Sequence, residues 1–360
     1  MFRSSRPLFY NGVFRILVLD QYGINFDIKE KQYFEGIDFL KGFLIILVII
    51  GHLISPTSYL HFLIYSFHMP LFLAVSGFLI KEESFLNMKF SFIIKKYMQR
   101  LMIPWLIASI FFFVINNYNL IINSKSIFEI IIFLLVSLFI FPYHSLWFIV
   151  SLFIFIIITW ILKQRNVSDI TIFILATVLV RVILLTLFSL SSNPQINFIY
   201  TGIREYRPHY YIFFFLGYYI RNRELYFRNN HLMGSIVILL FFIRAISYTL
   251  RIKIALLYDI PVFYVLNIIL IFFSLSYLIN LDFKKFSPIK WSGVNSLPIY
   301  LYHPLGYTIL LNYYSPLLNP YTTIWIALNL SVILFEFIIF YLLKRKAIRG
   351  INIIFFGKWR

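Results

Sequence analysis

The chain has 360 residues, of which 61% are hydrophobic, 21% aromatic and 13% charged. Soluble domains are typically about 45–50% apolar and about 25% charged, so the composition argues against a soluble, disordered or secreted protein. The net charge of +18 would suggest nucleic acid on a soluble chain, but in a membrane protein it is expected from basic cytoplasmic loops, and we predict no nucleic-acid partner. The absence of cysteine excludes disulfides and thiolate metal sites.

Ten apolar segments are candidates to cross a bilayer, which takes about 20 mostly apolar residues per span. We therefore predict an all-α fold, a polytopic membrane bundle of about ten transmembrane helices. An eleventh apolar stretch, residues 127–142, is short and ends at Pro142, and we expect it to enter the membrane without crossing or to lie along it. The predicted spans are residues 38–57, 60–80, 101–117, 145–162, 169–190, 208–220, 232–250, 260–280, 296–313 and 322–343.

Loop charge predicts the orientation of the spans. Residues 1–35, the loop between the second and third spans, and residues 344–360 are rich in Lys and Arg, which indicates the cytoplasmic side of an inner (plasma) membrane. Both termini in the cytoplasm require an even number of crossings. We thus expect a cytoplasmic tail at 1–35, a membrane domain at 36–343 in contact with lipids, and a second cytoplasmic tail at 344–360; the oligomeric state stays open.

The first span carries a cation and an imidazole on one helix face. Lys41 and His52 are eleven positions apart, so they return to within about 20° of the same face and are separated by about 16 Å along the axis. Asp38 lies three residues before Lys41, within ion-pair reach. The alternative interpretation is that Lys41 is an ordinary boundary residue and His52 forms hydrogen bonds in the outer interface.

The next segments add a second histidine and a basic cluster. His68 stands two positions before Pro70 in the second span, followed by the small pair Ser76-Gly77. Proline frees backbone carbonyls, and small residues allow close helix contact. The segment entering the third span is cationic, a pattern that by itself is also typical of a cytoplasmic loop. Its basic residues are Lys95, Lys96 and Arg100.

Six motifs follow one another in order between residues 36 and 343. They are Gly36-Ile-Asp38-Phe-Leu-Lys41-Gly with His52, Phe67-His68-Met-Pro70-Leu-Phe with Ser76-Gly77-Phe, the basic stretch leading to Pro104, His144-Ser-Leu-Trp147-Phe, Phe-Phe-Phe-Leu-Gly217-Tyr218, and Gly293-Val-Asn295-Ser296-Leu-Pro-Ile-Tyr300-Leu-Tyr-His303-Pro304. Together they resemble acyltransferase family 3 of integral membrane O-acyltransferases, and more narrowly its fucose 4-O-acetylase-like branch. The family has an arginine where this chain has Lys41, and a lysine lacks the bidentate grip of a guanidinium.

The resemblance implies transfer of an acyl group, most often acetyl from acetyl-CoA as co-substrate, to a sugar hydroxyl of a surface glycan or its lipid-linked precursor. A neutral histidine is the best available base near pH 7, so we expect His52 to be the catalytic base, with His68 and His144 as partners or oxyanion donors. The cations expected to hold the CoA phosphates are Lys41, Lys95, Lys96 and Arg100. The residues expected at the substrate are Asp38, Ser76, Trp147, Arg207, Asn295 and His303.

Several alternatives stay open at this point. Direct transfer competes with a covalent acyl relay, and a transporter, flippase or polymerase for lipid-linked glycans, or a structural subunit, competes with the enzyme. We expect no metal, because no His-x3-His or carboxylate–His spacing occurs within a span. Glu336 is expected to pair within the membrane with Arg181 or Arg244. A polar cluster is also predicted on the outer side, at Arg204, Glu205, Arg207 and His209.

Overall fold

The computed structural model describes residues 34–123, 126–140, 146–225, 231–249, 256–278, 287–314 and 320–345, and within them all regular structure is helical. The prediction of an all-α protein is confirmed. Two π-helical turns, Met98–Met102 and Leu175–Leu179, and one 3-10 turn, Pro208–Tyr210, interrupt the α-helices. The α-helices are α1 Glu35–Leu53, α2 Tyr59–Tyr65, α3 His68–Phe78, α4 Glu82–Leu86, α5 Phe90–Tyr97, α6 Ile103–Asn116, α7 Tyr118–Asn123, α8 Ile127–Phe139, α9 Trp147–Gln164, α10 Asp169–Ile174, α11 Val180–Ser189, α12 Pro194–Glu205, α13 Tyr211–Asn222, α14 His231–Thr249, α15 Leu256–Leu278, α16 Ser287–Val294, α17 Ser296–Tyr302, α18 Leu305–Tyr314 and α19 Thr323–Arg345.

Six helical stretches in the described residues are long and apolar enough to cross a membrane, and they coincide with the first five predicted spans and the last. The other four predicted spans fall on α13, α14, α15 and α17–α18, so the total of ten stays a prediction. The stretch 127–142 is a helix over Ile127–Phe139, and Pro142 lies outside the described residues. The six stretches are Glu35–Leu53, Tyr59–Phe78, Phe90–Asn116, Trp147–Gln164, Asp169–Ser189 and Thr323–Leu343.

The second predicted span is built from two helices with a break at Ser66 and Phe67. Ser58 caps the first of them by accepting a hydrogen bond from the backbone N–H of His61, 3.2 Å away. Pro70 lies in the first turn of the second helix, where the missing backbone N–H removes no intrahelical hydrogen bond. The proline is therefore tolerated here because a new helix starts at His68.

Two helix pairs approach each other at backbone distance through facing glycines. Gly42 of α1 faces Gly293 of α16, and Gly77 of α3 faces Gly217 of α13. A Cβ added at any of the four would overlap a backbone carbonyl of the facing helix. Small residues at such contacts are typical of membrane helices, because packing rather than burial from water holds these helices together. The predicted role of Gly77 in close helix contact is thus confirmed.

An ion-pair network joins the ends of α4, α9, α10 and α13. The Lys163 ammonium lies 2.9 Å from an oxygen of Asp169 and 3.5 Å from one of Glu82, and its side chain is only 9% exposed. Arg223, just beyond α13, donates two hydrogen bonds to Asp169, at 2.5 and 3.0 Å. The hydrogen bond to Asp169 raises the pKa of this guanidinium above its ordinary value. We call Glu82, Lys163, Asp169 and Arg223 the ionic cluster.

Candidate active site

Helix α1 carries the predicted cation near its first turn and the predicted base in its last turn. The Lys41 ammonium donates a hydrogen bond to Asp38 over 2.9 Å, and the two side chains are 17% and 13% exposed. The pairing that the spacing allows is therefore formed. His52 lies in the last turn of the same helix and is partly exposed.

His52 meets a second histidine from the C-terminal part of the chain. The ring centroids of His52 and His303 are 5.1 Å apart, with the planes tilted by 41°. His303 follows α17 directly and is 3% exposed. Tyr65, at the end of α2, presents an edge to His52 at 6.2 Å. Residues far apart in the chain thus form one cluster at the end of α1.

The tautomer of His303 is fixed by its own helix. Nδ1 of His303 lies 2.8 Å from the carbonyl oxygen of Tyr300. Because a carbonyl oxygen can only accept a hydrogen bond, Nδ1 must carry the hydrogen. The neutral ring therefore has its lone pair on Nε2, an atom that is buried and has no hydrogen-bond partner among the described residues.

His68 is held in the same way, one step further from His52. Its Nδ1 lies 2.6 Å from the carbonyl oxygen of Ile64, and its side chain is 3% exposed. The His68 ring packs edge-on against the Tyr65 ring, with the ring centroids 4.8 Å apart. The His61 ring stacks on the same tyrosine, with the centroids 4.0 Å apart. Tyr65 therefore stands between the predicted catalytic residues His52 and His68. We call His52, Tyr65, His68 and His303 the histidine cluster.

The structure brings together two residues predicted at the substrate, Trp147 and Arg207. The guanidinium of Arg207 lies over the Trp147 ring, 5.9 Å from its centroid. The connection after α12 is fixed by a hydrogen bond of 2.6 Å from the Ser151 hydroxyl to the backbone carbonyl of Tyr206. Burial raises the pKa of Tyr206 to about 12, so its phenol keeps its proton at neutral pH. Arg207 itself is exposed and has left-handed backbone angles.

Three tyrosines that sequence reasoning missed connect these two groups. Tyr65 interacts electrostatically with Arg207 and with Tyr307 and Tyr321. Tyr321 has a φ of 64°, which is uncommon for a residue with a side chain. In a chain with 26 tyrosines none of the three has a motif of its own, and only the fold singles them out.

Comparison with known proteins decides the family. The sequence profile of the acyltransferase domain, acyltransferase 3, matches residues 34–343. The chain belongs to this family. It is also similar to nodulation protein NolL of Sinorhizobium fredii, with 48% identity over 52 residues, which are 12% of this chain and 14% of that protein. No solved structure matches the chain. The resemblance to the family is confirmed, while the fucose 4-O-acetylase-like branch stays a prediction.

The remaining predicted site residues of this family member lie apart from the histidine cluster or are satisfied by their own helices. The Ser76 hydroxyl donates to the carbonyl of Phe72 over 2.9 Å, and the Asn295 amide donates to the carbonyl of Trp291 over 2.8 Å. Both are bonds to the backbone four residues earlier, which polar side chains commonly form in apolar helices. His144 lies outside the described residues.

The cations predicted to bind the acyl donor lie on two elements. Lys41 belongs to α1, whereas Lys95 and Lys96 end α5 and Arg100 lies in the π-helical turn Met98–Met102. Lys95 and Arg100 are exposed. Lys96 is partly buried, with its ammonium 3.8 Å from the Met88 sulfur and 5.4 Å from the Tyr97 ring centroid. The basic segment thus offers two exposed cations and one that packs along its own helix.

The expected ion pair between Arg181 and Glu336 is wrong. Within the part of the chain that the structure describes, Arg181 lies over the ring of Tyr264, 4.3 Å from the centroid, and forms no ion pair with Glu336. An aromatic face attracts a guanidinium electrostatically and so replaces the carboxylate. Glu336 is buried in α19, and the side chain of Arg244 lies outside the described residues.

Neither a metal nor a large apolar cavity explains the cluster. Among the described residues no group of three or more His, Asp or Glu side chains is arranged to hold a metal ion. A cavity of about 560 Å³ lies between α7 and α8 and is lined by apolar residues such as Ile132 and Phe133. It contains no member of the histidine cluster, so we do not regard it as the site of acyl transfer.

Proposed function

We propose that this acyltransferase moves an acyl group, most simply acetyl, from acyl-CoA to a hydroxyl of a cell-surface polysaccharide or of its lipid-linked precursor, with His52 as the general base. The observation that carries the proposal is the position of the partly exposed His52 beside the buried His303 and the exposed Tyr65. Polar, ionisable side chains are a costly feature for membrane helices to carry without a function.

The chemistry requires one proton to move from the acceptor to the donor. His52 takes the proton of the acceptor hydroxyl while the oxygen attacks the thioester carbonyl. The tetrahedral intermediate then expels the CoA thiolate, which takes the proton back from the His52 imidazolium, so no net proton is released. His68 donates its Nδ1 hydrogen to the backbone carbonyl of Ile64. Because a neutral imidazole has only one N–H, neutral His68 has no second hydrogen to donate to an oxyanion. We therefore assign it the role of packing against Tyr65.

The donor end of the site is assigned to the basic residues. Lys95, Lys96 and Arg100 are cations on a short stretch of α5 and the following π-helical turn, a type of distortion that is frequent at functional sites. Coenzyme A carries several phosphates, which favour such a surface. Lys41 is paired with Asp38, so it does not supply a free charge to the CoA phosphates. We assign it to the start of the route by which the acyl arm of the donor extends along α1 towards His52.

The acceptor end of the site is assigned to Trp147, Arg207 and the nearby tyrosines. Trp and Tyr combine an apolar ring face with a polar N–H or O–H group. A sugar ring likewise has an apolar face of C–H groups and polar hydroxyls, so the two can pack and form hydrogen bonds together. The Trp147 ring is partly exposed, and the exposed Arg207 beside it can donate hydrogen bonds to a polar acceptor. A large polar acceptor is thus favoured over a small soluble alcohol.

The proposed topology has ten crossings in the inner membrane, both termini in the cytoplasm, and α8 as a segment that does not cross. Phe133, in the middle of α8, contacts Phe113 near the C-terminal end of α6, with centroids 5.9 Å apart. Ile140, just after α8, lies against Gly202 of α12. Tyr206, at the end of α12, is bonded to the first turns of α9 through Ser151. These contacts support an α8 whose two ends lie on the side where α6 ends and α9 begins.

The proposal is tested with membranes containing the full chain and radiolabelled acetyl-CoA, by counting the label that mild base releases as acetate from esters in the membrane fraction. We expect His52→Ala to lower the rate about 10²- to 10⁴-fold, the usual contribution of a general base. A wild-type protein without ester formation from acetyl-CoA would overturn the donor assignment. NMR of the surface polysaccharide from a deletion strain tests the acceptor: loss of base-labile acetyl signals supports it, while altered chain length with unchanged acetylation favours a polymerase or exporter.

A further inference from the structure

His303 has three properties that together define a role beside His52. Its ring lies 5.1 Å from that of His52, its Nδ1 hydrogen is engaged by the carbonyl of Tyr300 over 2.8 Å, and its Nε2 is buried and without a hydrogen-bond partner among the described residues. A buried acceptor left unpaired destabilises the folded protein. Such a cost calls for an explanation that comes from the working cycle of the protein.

The accessibility of the two rings assigns them different tasks. His52 is partly exposed, whereas His303 is 3% exposed. A substrate hydroxyl therefore reaches His52 before it reaches His303, whose Nε2 atom is buried. His303 is for this reason suited to act through His52 rather than on the substrate itself.

We propose that His303 is a positioning residue whose Nε2 accepts a hydrogen bond from His52 whenever His52 carries the proton of the acceptor hydroxyl. The inference rests on the proposed function of His52 as the base. When His52 accepts the proton on one ring nitrogen, the N–H of its other nitrogen is donated to Nε2 of His303. The proton then passes from His52 to the CoA thiolate, and His303 keeps its own Nδ1 hydrogen throughout, so its charge never changes.

A neutral partner suits this location better than a carboxylate. In serine proteases the histidine base is oriented by a buried aspartate, which stabilises the imidazolium that forms. A permanent negative charge within a membrane helix bundle is expensive. An imidazole whose tautomer is fixed by a backbone carbonyl provides the same acceptor geometry without a permanent charge. Tyr300 contributes through its backbone, and its ring packs against His303 at 5.9 Å.

Two isosteric substitutions separate this role from a merely structural one. In His303→Asn the amide nitrogen replaces Nδ1 and keeps the bond to Tyr300, but nothing replaces Nε2. In His303→Gln an amide oxygen takes the position of Nε2 as an acceptor, and the bond to Tyr300 is lost. We expect Asn to lower kcat about 10- to 100-fold, a loss typical of a misplaced catalytic group, with the KM for acetyl-CoA unchanged, and Gln to retain more kcat than Asn. A structural role predicts the reverse order, and that result would overturn the proposal.

A double substitution distinguishes failure of this inference from failure of the proposed function. If His303 acts through His52, adding His303→Asn to His52→Ala lowers the rate no further, because the two residues act as a unit. Full activity of His52→Ala would refute the base, whereas an inactive His52→Ala beside a fully active His303→Asn would refute only the role of His303. Activities are compared on protein with a wild-type elution profile in detergent. Should Asn not fold, Gln decides alone: kcat within about tenfold of wild type supports the proposal, and a larger loss counts against it.

Discussion

The two polar regions of this protein differ in whether their buried groups have partners. In the ionic cluster the buried cation Lys163 has two carboxylate partners, and Asp169 is shared with Arg223. In the histidine cluster the Nε2 atom of His303 is left without a partner among the described residues. The ionic cluster therefore connects helix ends through ion pairs that leave the buried cation fully paired. The histidine cluster instead leaves the Nε2 atom of His303 available to accept a hydrogen bond.

The difference suggests a way to separate structural from functional polarity in a membrane protein. A saturated network lowers the free energy of one arrangement and gains nothing from a ligand. An unsaturated buried group costs free energy in the resting state, and the cost is recovered only when a substrate or a proton arrives. The comparison predicts that substitutions in the ionic cluster change stability, whereas substitutions in the histidine cluster change turnover.

The largest expected effect is on turnover in the histidine cluster. His52→Ala removes the proposed base and should lower the transfer rate about 10²- to 10⁴-fold, while leaving the apparent Tm in detergent unchanged or slightly raised, because it removes a polar ring from an apolar helix. The measurement is a thermal unfolding scan beside the radiolabel assay. A strong drop in Tm would mean that the cluster is part of the scaffold, and the contrast with the ionic cluster would then not hold.

The next effect is on stability in the ionic cluster. Lys163→Met leaves the carboxylates of Glu82 and Asp169 without their shared cation, and removing one partner of a buried pair costs about 3–5 kcal/mol. We expect a clear drop in Tm and an unchanged kcat per folded molecule. The matched control is Lys81→Met, whose pair with Glu83 is 51% and 71% exposed and is worth about 0–1 kcal/mol. Equal effects of the two substitutions would show that burial of the cluster is not what stabilises it.

A smaller effect on stability is expected at the glycine contacts between neighbouring helices. In Gly77→Ala the added Cβ overlaps the backbone of α13, and overpacking of this kind costs about 1–3 kcal/mol. Gly234→Ala in α14 is the control, since a Cβ there meets nothing within 4 Å, and an alanine should be neutral or stabilising by about 0.5–1 kcal/mol in a helix. Thermal scans that failed to separate the two would argue against backbone contact between α3 and α13.

Helical periodicity and composition make a large part of the fold predictable from the sequence. The all-α class and the Lys41–Asp38 pair each depend on residues within one or two turns, so local rules suffice. Six of the predicted spans coincide with helices that are long and apolar enough to cross a membrane, for the same reason. The wrong pairing of Arg181 shows the limit, because the choice between Glu336 and Tyr264 depends on how distant helices are arranged.

The candidate site could be predicted only in part. His52 stands out because an imidazole in an apolar span is costly, but its contact with His303 joins the first span to the last third of the chain. Tyr65 and Tyr321 are indistinguishable from many other tyrosines until the fold brings them together. The tautomer of His303 depends on a backbone carbonyl three residues away and on burial, neither of which is visible in a motif.

The smallest expected effect concerns the basic segment around Lys95, which belongs to neither the ionic cluster nor the histidine cluster. Lys95 is exposed, so a contact with a CoA phosphate is screened by solvent and is worth about 0.2–1 kcal/mol. We expect Lys95→Gln to raise the KM for acetyl-CoA about 2- to 5-fold with kcat and Tm unchanged. Lys89→Gln is the control, since it removes the same charge from an exposed position before α5. If Lys89→Gln raised KM equally, general attraction by the basic loop, rather than a defined phosphate contact at Lys95, would account for the effect.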